Sequence, residues 1–195
     1  VVDTDGSVSV TCTQPLGFCT FSNNDTGHGL DILARKSITI TRIVANDNGD
    51  DTTDAGMYLV NYTTATDPLP DPIKLTNISV EGNWGYGIYA STENNVTITN
   101  VLARYNHFGL TLGTLPSPVN NVLISGTNLI DSNSSGLEVY AQGTVNISNV
   151  IAQYQTGGTG IYVRSITNGK TVTLNNILSR YNRSEERRVG KECRS

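Results

Sequence analysis

One unit recurs six times along this chain and dictates what the chain can fold into. Each copy opens on a glycine followed by an apolar-x-apolar segment: GLDI (29–32), GMYL (56–59), GIYA (87–90), GLTL (109–112), GLEV (136–139) and GIYV (160–163). The spacings between copies are 27, 31, 22, 27 and 24 residues. Longer segments lie between them: ITITRIVA (38–45), IKLTNISV (73–80), VTITNVLA (96–103), VLISGTNL (122–129), VNISNVIA (145–152) and VTLNNILS (172–179). Within each piece apolar and polar residues alternate with period two, which marks strands and not helices. Ile98, Val101 and Ala103 are therefore expected to point inward and Thr97 outward, with Asn100 interrupting the alternation.

The interrupting column reads Arg42, Asn77, Asn100, Gly126, Asn149 and Asn176. Asn and Gly tolerate a left-handed backbone, so a tight bend is predicted at the same place in every unit. Its Asn amides are expected to form a buried stack that hydrogen-bonds above and below. A second polar column, Asn48, Asn83, Asn106, Ser132, Gln155 and Asn182, is assigned to the turn that closes each unit. Three short strands in a unit of 22 to 31 residues bury their inward side chains only by stacking unit upon unit, as in a solenoid. The fold class expected is all-β: a parallel β-helix of about six coils, preceded by a partial N-terminal coil at SVSVTC (7–12). NYTTATDPLPDPIK (61–74), with three prolines, reads as a loop extruded from the second coil.

The pattern in GIYASTENNVTITNVLARYN (87–106) resembles the right-handed parallel β-helix repeats of pectin-lyase-like proteins, over about residues 8 to 182. The resemblance implies a right-handed coil, a bacterial extracellular source, and a ligand groove on the outer face of the Gly-led strands. The outward residues there are Asp31, Tyr58, Tyr89, Thr111, Glu138 and Tyr162, followed by Leu33, Val60, Ser91, Gly113, Tyr140 and Arg164. Tyr58, Tyr89, Glu138, Tyr140, Tyr162 and Arg164 are the candidate carbohydrate contacts. Tyrosine rings stack on sugars, and a Glu138–Arg164 ion pair would add hydrogen bonds.

No catalytic residue is assigned. Asp31 and Glu138 stand four rungs apart, roughly 19 Å at about 4.8 Å per rung. Glycoside hydrolysis needs two carboxylates about 5 to 9.5 Å apart. Gly27-His28-Gly29 and Gly49-Asp50-Asp51 resemble polygalacturonase motifs, but in reversed order and without that family's other two. The densest polar cluster is NDNGDDTTDAG (46–56). Its Asp47, Asp50, Asp51 and Asp54 repel one another unless a cation sits among them, which makes them a candidate Ca²⁺ site.

Net charge is −4, and no basic stripe offers itself to nucleic acid. No apolar run is long enough to span a membrane as a helix. Cys12 and Cys19 flank a Pro-Gly turn and are a candidate disulfide, which implies an oxidising compartment. Residues 1–182 are read as a single β-helix domain truncated at both ends, with further coils of the same chain as its natural neighbours. The closing RSEERRVGKECRS (183–195) breaks every apolar column. Codons exist for it that spell, in frame, a string resembling a sequencing-library adapter, so it is assigned as a non-native tail. The function expected is a non-catalytic extracellular or cell-surface segment, adhesin- or stalk-like, that binds a polysaccharide or cell-surface glycan. The alternative is a polysaccharide lyase or glycoside hydrolase whose catalytic coils lie partly outside this piece.

Overall fold

The computed structural model describes residues 1–13, 17–62 and 71–183. The greater part of the expected extruded loop and the tail beyond Arg183 lie outside the described residues. In chain order the first strands are β1 (Val2–Thr4), β2 (Val8–Thr11), β3 (Cys19–Thr20), β4 (Leu30–Ala34), β5 (Ile38–Val44) and β6 (Ala55–Asn61). They are followed by β7 (Ile73–Glu81), β8 (Tyr86–Ser91), β9 (Val96–Arg104), β10 (Phe108–Leu112) and β11 (Val122–Ser125). The last are β12 (Asn128–Asp131), β13 (Ser135–Ala141), β14 (Val145–Gln153), β15 (Ile161–Ser165) and β16 (Val172–Arg180). No helix occurs among the described residues.

The Gly-led strands form one sheet in the order β1-β4-β6-β8-β10-β13-β15. The longer segments form a second sheet in which β5, β7, β9, the pair β11 and β12, β14 and β16 follow one another. Every strand pairing among the described residues is parallel. The chain is thus a β-solenoid of about six turns. Its core is a file of buried aliphatic residues, among them Ile32, Leu59, Ile88, Leu110 and Val139 from the first sheet and Ile40, Leu75, Ile98 and Ile147 from the second. Cys12 and Cys19 are joined in a disulfide with Cα atoms 5.3 Å apart.

The bend column lies where the alternation predicts. Arg42, Asn77, Asn100, Gly126, Asn149 and Asn176 have φ of 58°, 55°, 58°, 76°, 54° and 52°. The expected burial of its amides is corrected, because the left-handed residue breaks the alternation and turns its side chain outward beside the outward residue before it. Asn100, Asn149 and Asn176 are exposed, although they still hydrogen-bond along the axis: Asn100 Nδ2 to Asn77 Oδ1 at 2.8 Å and Asn176 Nδ2 to Asn149 Oδ1 at 2.7 Å.

The buried amide stack is the second polar column. Asn48 donates through Nδ2 to Asn83 Oδ1 (2.9 Å), Asn83 to Asn106 Oδ1 (2.8 Å) and Asn106 to Asn133 Oδ1 (3.0 Å). The backbone N–H groups of Asn133 and Gln155 continue the file to Gln155 Oε1 and Asn182 Oδ1. The remaining amide hydrogens reach carbonyls of the preceding coil, Ala45, Val80, Ala103 and Ala152. Asn133 therefore takes the place that the sequence reading gave to Ser132. The reason is one extra residue, Thr127, between the bend at Gly126 and Asn128, which shifts everything after it by one. Asn128 pairs with Val150 and is buried where other coils carry Val or Ile. Its Oδ1 accepts from Val101 N (3.1 Å).

The amide file and the backbone carbonyl of the next coil's glycine, 2.6 Å from a methyl group placed at Gly87 and 2.7 Å from one at Gly109, together explain why each apolar-x-apolar segment opens on glycine. A methyl group at Gly56, Gly87 or Gly109 would lie 2.7, 2.9 or 3.0 Å from the Nδ2 of Asn83, Asn106 or Asn133. The glycine is there for space.

These environments separate two asparagines of one type. Asn106→Ala strands the donors of Asn83 and the acceptors of Val80 and Asn133 in the interior, which costs about 3 kcal/mol. Asn100→Ala loses two exposed hydrogen bonds, to Asn77 Oδ1 and from Thr127 N, and places alanine in the left-handed region, at about 1–2 kcal/mol. Urea denaturation midpoints of the two variants should fall in that order.

Candidate functional site

The first sheet presents its outward residues in the expected register. Asp31 pairs with Tyr58, Tyr58 with Tyr89, Tyr89 with Thr111, Thr111 with Glu138, and Glu138 with Tyr162. Tyr140 pairs with Arg164 in the next column. Tyr58 and Tyr89 stack at 5.0 Å between ring centres, and His28 covers the other face of Tyr58 at 4.6 Å. Tyr86 meets Tyr89 edge-on at 5.3 Å and stacks on Phe108 at 4.8 Å. A continuous aromatic surface results, and it differs from the one expected. Both faces of Tyr58 are taken up within the protein, so what it offers a ligand is its hydroxyl edge. Tyr140 and Tyr162 approach at 5.5 Å with planes tilted by 52°, which leaves more ring face open. No ion pair joins Glu138 to Arg164.

Charge is handled by burial along this column. Glu138 is half-buried, and desolvation raises its pKa above the usual 4.5. Burial first, and neighbouring Tyr89, Asp31 and Tyr86 second, raise the Tyr58 pKa. Tyr86 and Tyr140 are raised in the same way, with Glu138 among the causes for both. The phenols therefore stay protonated and act as hydrogen-bond donors. Thr111 Oγ1 and Asp31 Oδ1 are shielded from solvent without a hydrogen-bond partner.

The acidic turn brings Asp50, Asp51 and Asp54 together, with one oxygen of each within 4.8 Å of the others; Asp47 is not in the group. Asp47 sits in the left-handed position (φ 54°) just before buried Asn48 and faces solvent. Backbone amides hold much of the group. Asp54 Oδ2 accepts from Asp50 N (3.0 Å), Gly27 N (3.3 Å) and Asp51 N (3.4 Å). Asp51 Oδ1 accepts from the hydroxyl and the amide of Thr53 at 2.6 and 2.7 Å, and these bonds lower the Asp51 pKa. His28 closes the cluster. Its Nδ1 accepts from Ala55 N (2.9 Å) and lies 3.8 Å from Asp54 Oδ1. This hydrogen bond assigns the ring proton to Nε2. The free oxygens of Asp50 and Asp51 are the ones that could ligate a hard cation.

Four exposed aromatic residues outside the sequence-derived set lie on the edge between the two sheets. Trp84, Tyr105, Tyr154 and Tyr181 are 65, 61, 48 and 64 % exposed. Three of them were legible as a motif, since ARYN (103–106), AQYQ (152–155) and SRYN (179–182) repeat a tyrosine just before the amide file.

Comparison with known proteins finds no matching family model, no matching curated protein and no matching solved structure. No helix among the described residues is long and apolar enough to cross a membrane.

Glu138 yields a signed prediction. Its folded-state pKa lies above the unfolded value, so the ionised carboxylate opposes folding above the folded pKa. That penalty disappears as pH falls below the unfolded value. Glu138→Gln should therefore raise the unfolding temperature at pH 7 to 8, and the gain should shrink toward pH 4. Calorimetric scans across that range measure it.

Proposed function

We propose that this chain is a non-catalytic β-solenoid segment, adhesin- or stalk-like, that holds a glycan chain along the outer face of its first sheet. One observation carries the reading. The outward column runs as a rigid, in-register file of tyrosine hydroxyls and carboxylates across successive rungs, with Asp31 and Glu138 at positions too far apart to act on one glycosidic bond. Donors and acceptors fixed at strand spacing suit a polymer lying along the solenoid axis. Tyr58, Tyr89, Glu138, Tyr140, Tyr162 and Arg164 are the proposed contacts. The Cys12–Cys19 disulfide supports an extracellular or cell-surface setting. The resemblance to bacterial β-helix proteins supports the same setting.

A second reading rests on the acidic turn. Asp50, Asp51 and Asp54 gather beside His28, and a carboxylate group of this kind is what a lyase or hydrolase of a β-helix fold would require. A Ca²⁺ ion among these carboxylates belongs to that reading.

Titration of the protein with neutral and acidic oligosaccharides in a calorimeter, with product analysis on the same samples, separates the two. Saturable heat without new reducing or unsaturated ends is expected, and Tyr140→Ala should weaken that binding about tenfold. Turnover that disappears in Asp50→Asn or Asp51→Asn would replace the binding reading with the enzymatic one.

A further inference from the structure

The edge between the sheets carries an expense that folding does not explain. Each coil has a left-handed residue immediately before the buried amide: Asp47, Gly82, Tyr105, Ser132, Tyr154 and Tyr181, with φ of 54°, 68°, 57°, 53°, 57° and 56°. For an L-residue this conformation costs roughly 1–2 kcal/mol, least for Gly, Asn and Asp. Three coils use residues that are small or suited to the bend, and three use tyrosine. Burial does not return the cost, because all three tyrosines are exposed. Tyr154 and Tyr181 recover some of it by stacking at 5.1 Å, with Arg180 over the Tyr181 ring. Among the described residues Tyr105 has no aromatic partner, and Arg104 lies beside its ring at 5.7 Å. Strain of this kind, kept at an exposed aromatic side chain, points to a function for the ring.

The surroundings of Tyr105 say what the ring could bind. It lines a shallow groove of about 420 Å³ together with Trp84, His107 and the hydroxyl residues Ser132, Ser134 and Thr156. Among the described residues no carboxylate, lysine or arginine lines the groove. Of the neighbouring guanidinium groups, Arg104 is engaged with Glu81 (2.6 Å) and Arg180 with Gln153 Oε1 (3.1 Å), while Arg183 Nη1 donates to the backbone carbonyl of Thr156 (3.4 Å). Open aromatic faces with hydroxyl groups between them, and no charge, match the amphipathic surface of an uncharged sugar ring. Tyr105 and Tyr154 are separated by two rungs, roughly 9.6 Å at about 4.8 Å per rung, close to the length of a disaccharide.

We infer that this edge is a second carbohydrate-binding platform, one that takes an uncharged glycan with a sugar ring between Trp84 and Tyr105 and the chain continuing over Tyr154 and Tyr181. It stands on different residues from the sheet-face reading and does not require it.

Trp84 is the single tryptophan of the chain, so its emission reports on the groove directly. Cellohexaose, xylohexaose, mannohexaose and laminarihexaose would be titrated against the full chain, the Tyr105→Asn variant and the Tyr89→Phe variant. At least one hexasaccharide should shift the Trp84 emission saturably. Tyr105→Asn should weaken that response tenfold or more while raising the unfolding temperature, since asparagine relieves the backbone. Tyr89→Phe should leave the response unchanged. An emission that no hexasaccharide alters overturns the proposal. So does a Tyr105→Asn variant that binds as well as the parent or unfolds at a lower temperature, since the tyrosine would then be structural. A response lost in Tyr89→Phe overturns it too, by placing the ligand on the sheet face.

Discussion

A file of buried side-chain amides from Asn48 through Asn83, Asn106, Asn133 and Gln155 to Asn182 is the interaction on which the other features of this solenoid depend. A chain that turns a corner once per coil leaves backbone carbonyls and amides inside that corner with no strand to pair with. Buried polar groups left that way cost about 1–3 kcal/mol each. The amides satisfy them, and in doing so they impose conditions on their neighbours in the sequence. The strand that follows must open on glycine, because a methyl group there would collide with the amide and with the next coil's backbone carbonyl. The residue before must adopt a left-handed backbone to turn the amide inward. Corner, glycine and left-handed residue are one device repeated down the axis.

Much of this could be read from the residues. The alternation in VTITNVLA gave the inward set Ile98, Val101 and Ala103, all buried, and the interruptions marked the bends. The strand register of the outer column also followed, because parallel rungs that share a hydrophobic pattern can pair in only one way without exposing the core. Other features were hidden for physical reasons. Alternation fixes which residues interrupt a strand, but not which way their side chains turn, so the bend column was expected to be buried and is largely exposed, while the column of the closing turn carries the buried amides. The single insertion at Thr127 looked like part of the strand, because Asn128 replaces a backbone partner with its own side chain. That is chemistry a polarity pattern does not register.

The candidate surfaces divide along the same line. Residues of the first sheet's outer face were legible because strand pairing dictates their columns. The ring stacking that closes the faces of Tyr58 was not, because it depends on side-chain rotation about a fixed backbone. The acidic turn was legible as composition, while its binding to backbone amides through Asp54 emerges only in three dimensions. Trp84 sits in a short connection of no repeating pattern. Tyr105 was in the motif, but it looks ordinary until its φ is known. Backbone conformation, more than residue type, distinguishes it from the tyrosines of the sheet.

The amide file also has a direction. Each side-chain oxygen points back toward the coil before it, and the donors that reach it, side-chain or backbone, come from that coil. The other amide hydrogens run the opposite way, to carbonyls of the preceding coil, so each amide is held from both sides and bonds in such a row polarise one another. Removing one amide therefore acts in both directions: the amide before it loses its acceptor, and the amide after it loses its side-chain donor.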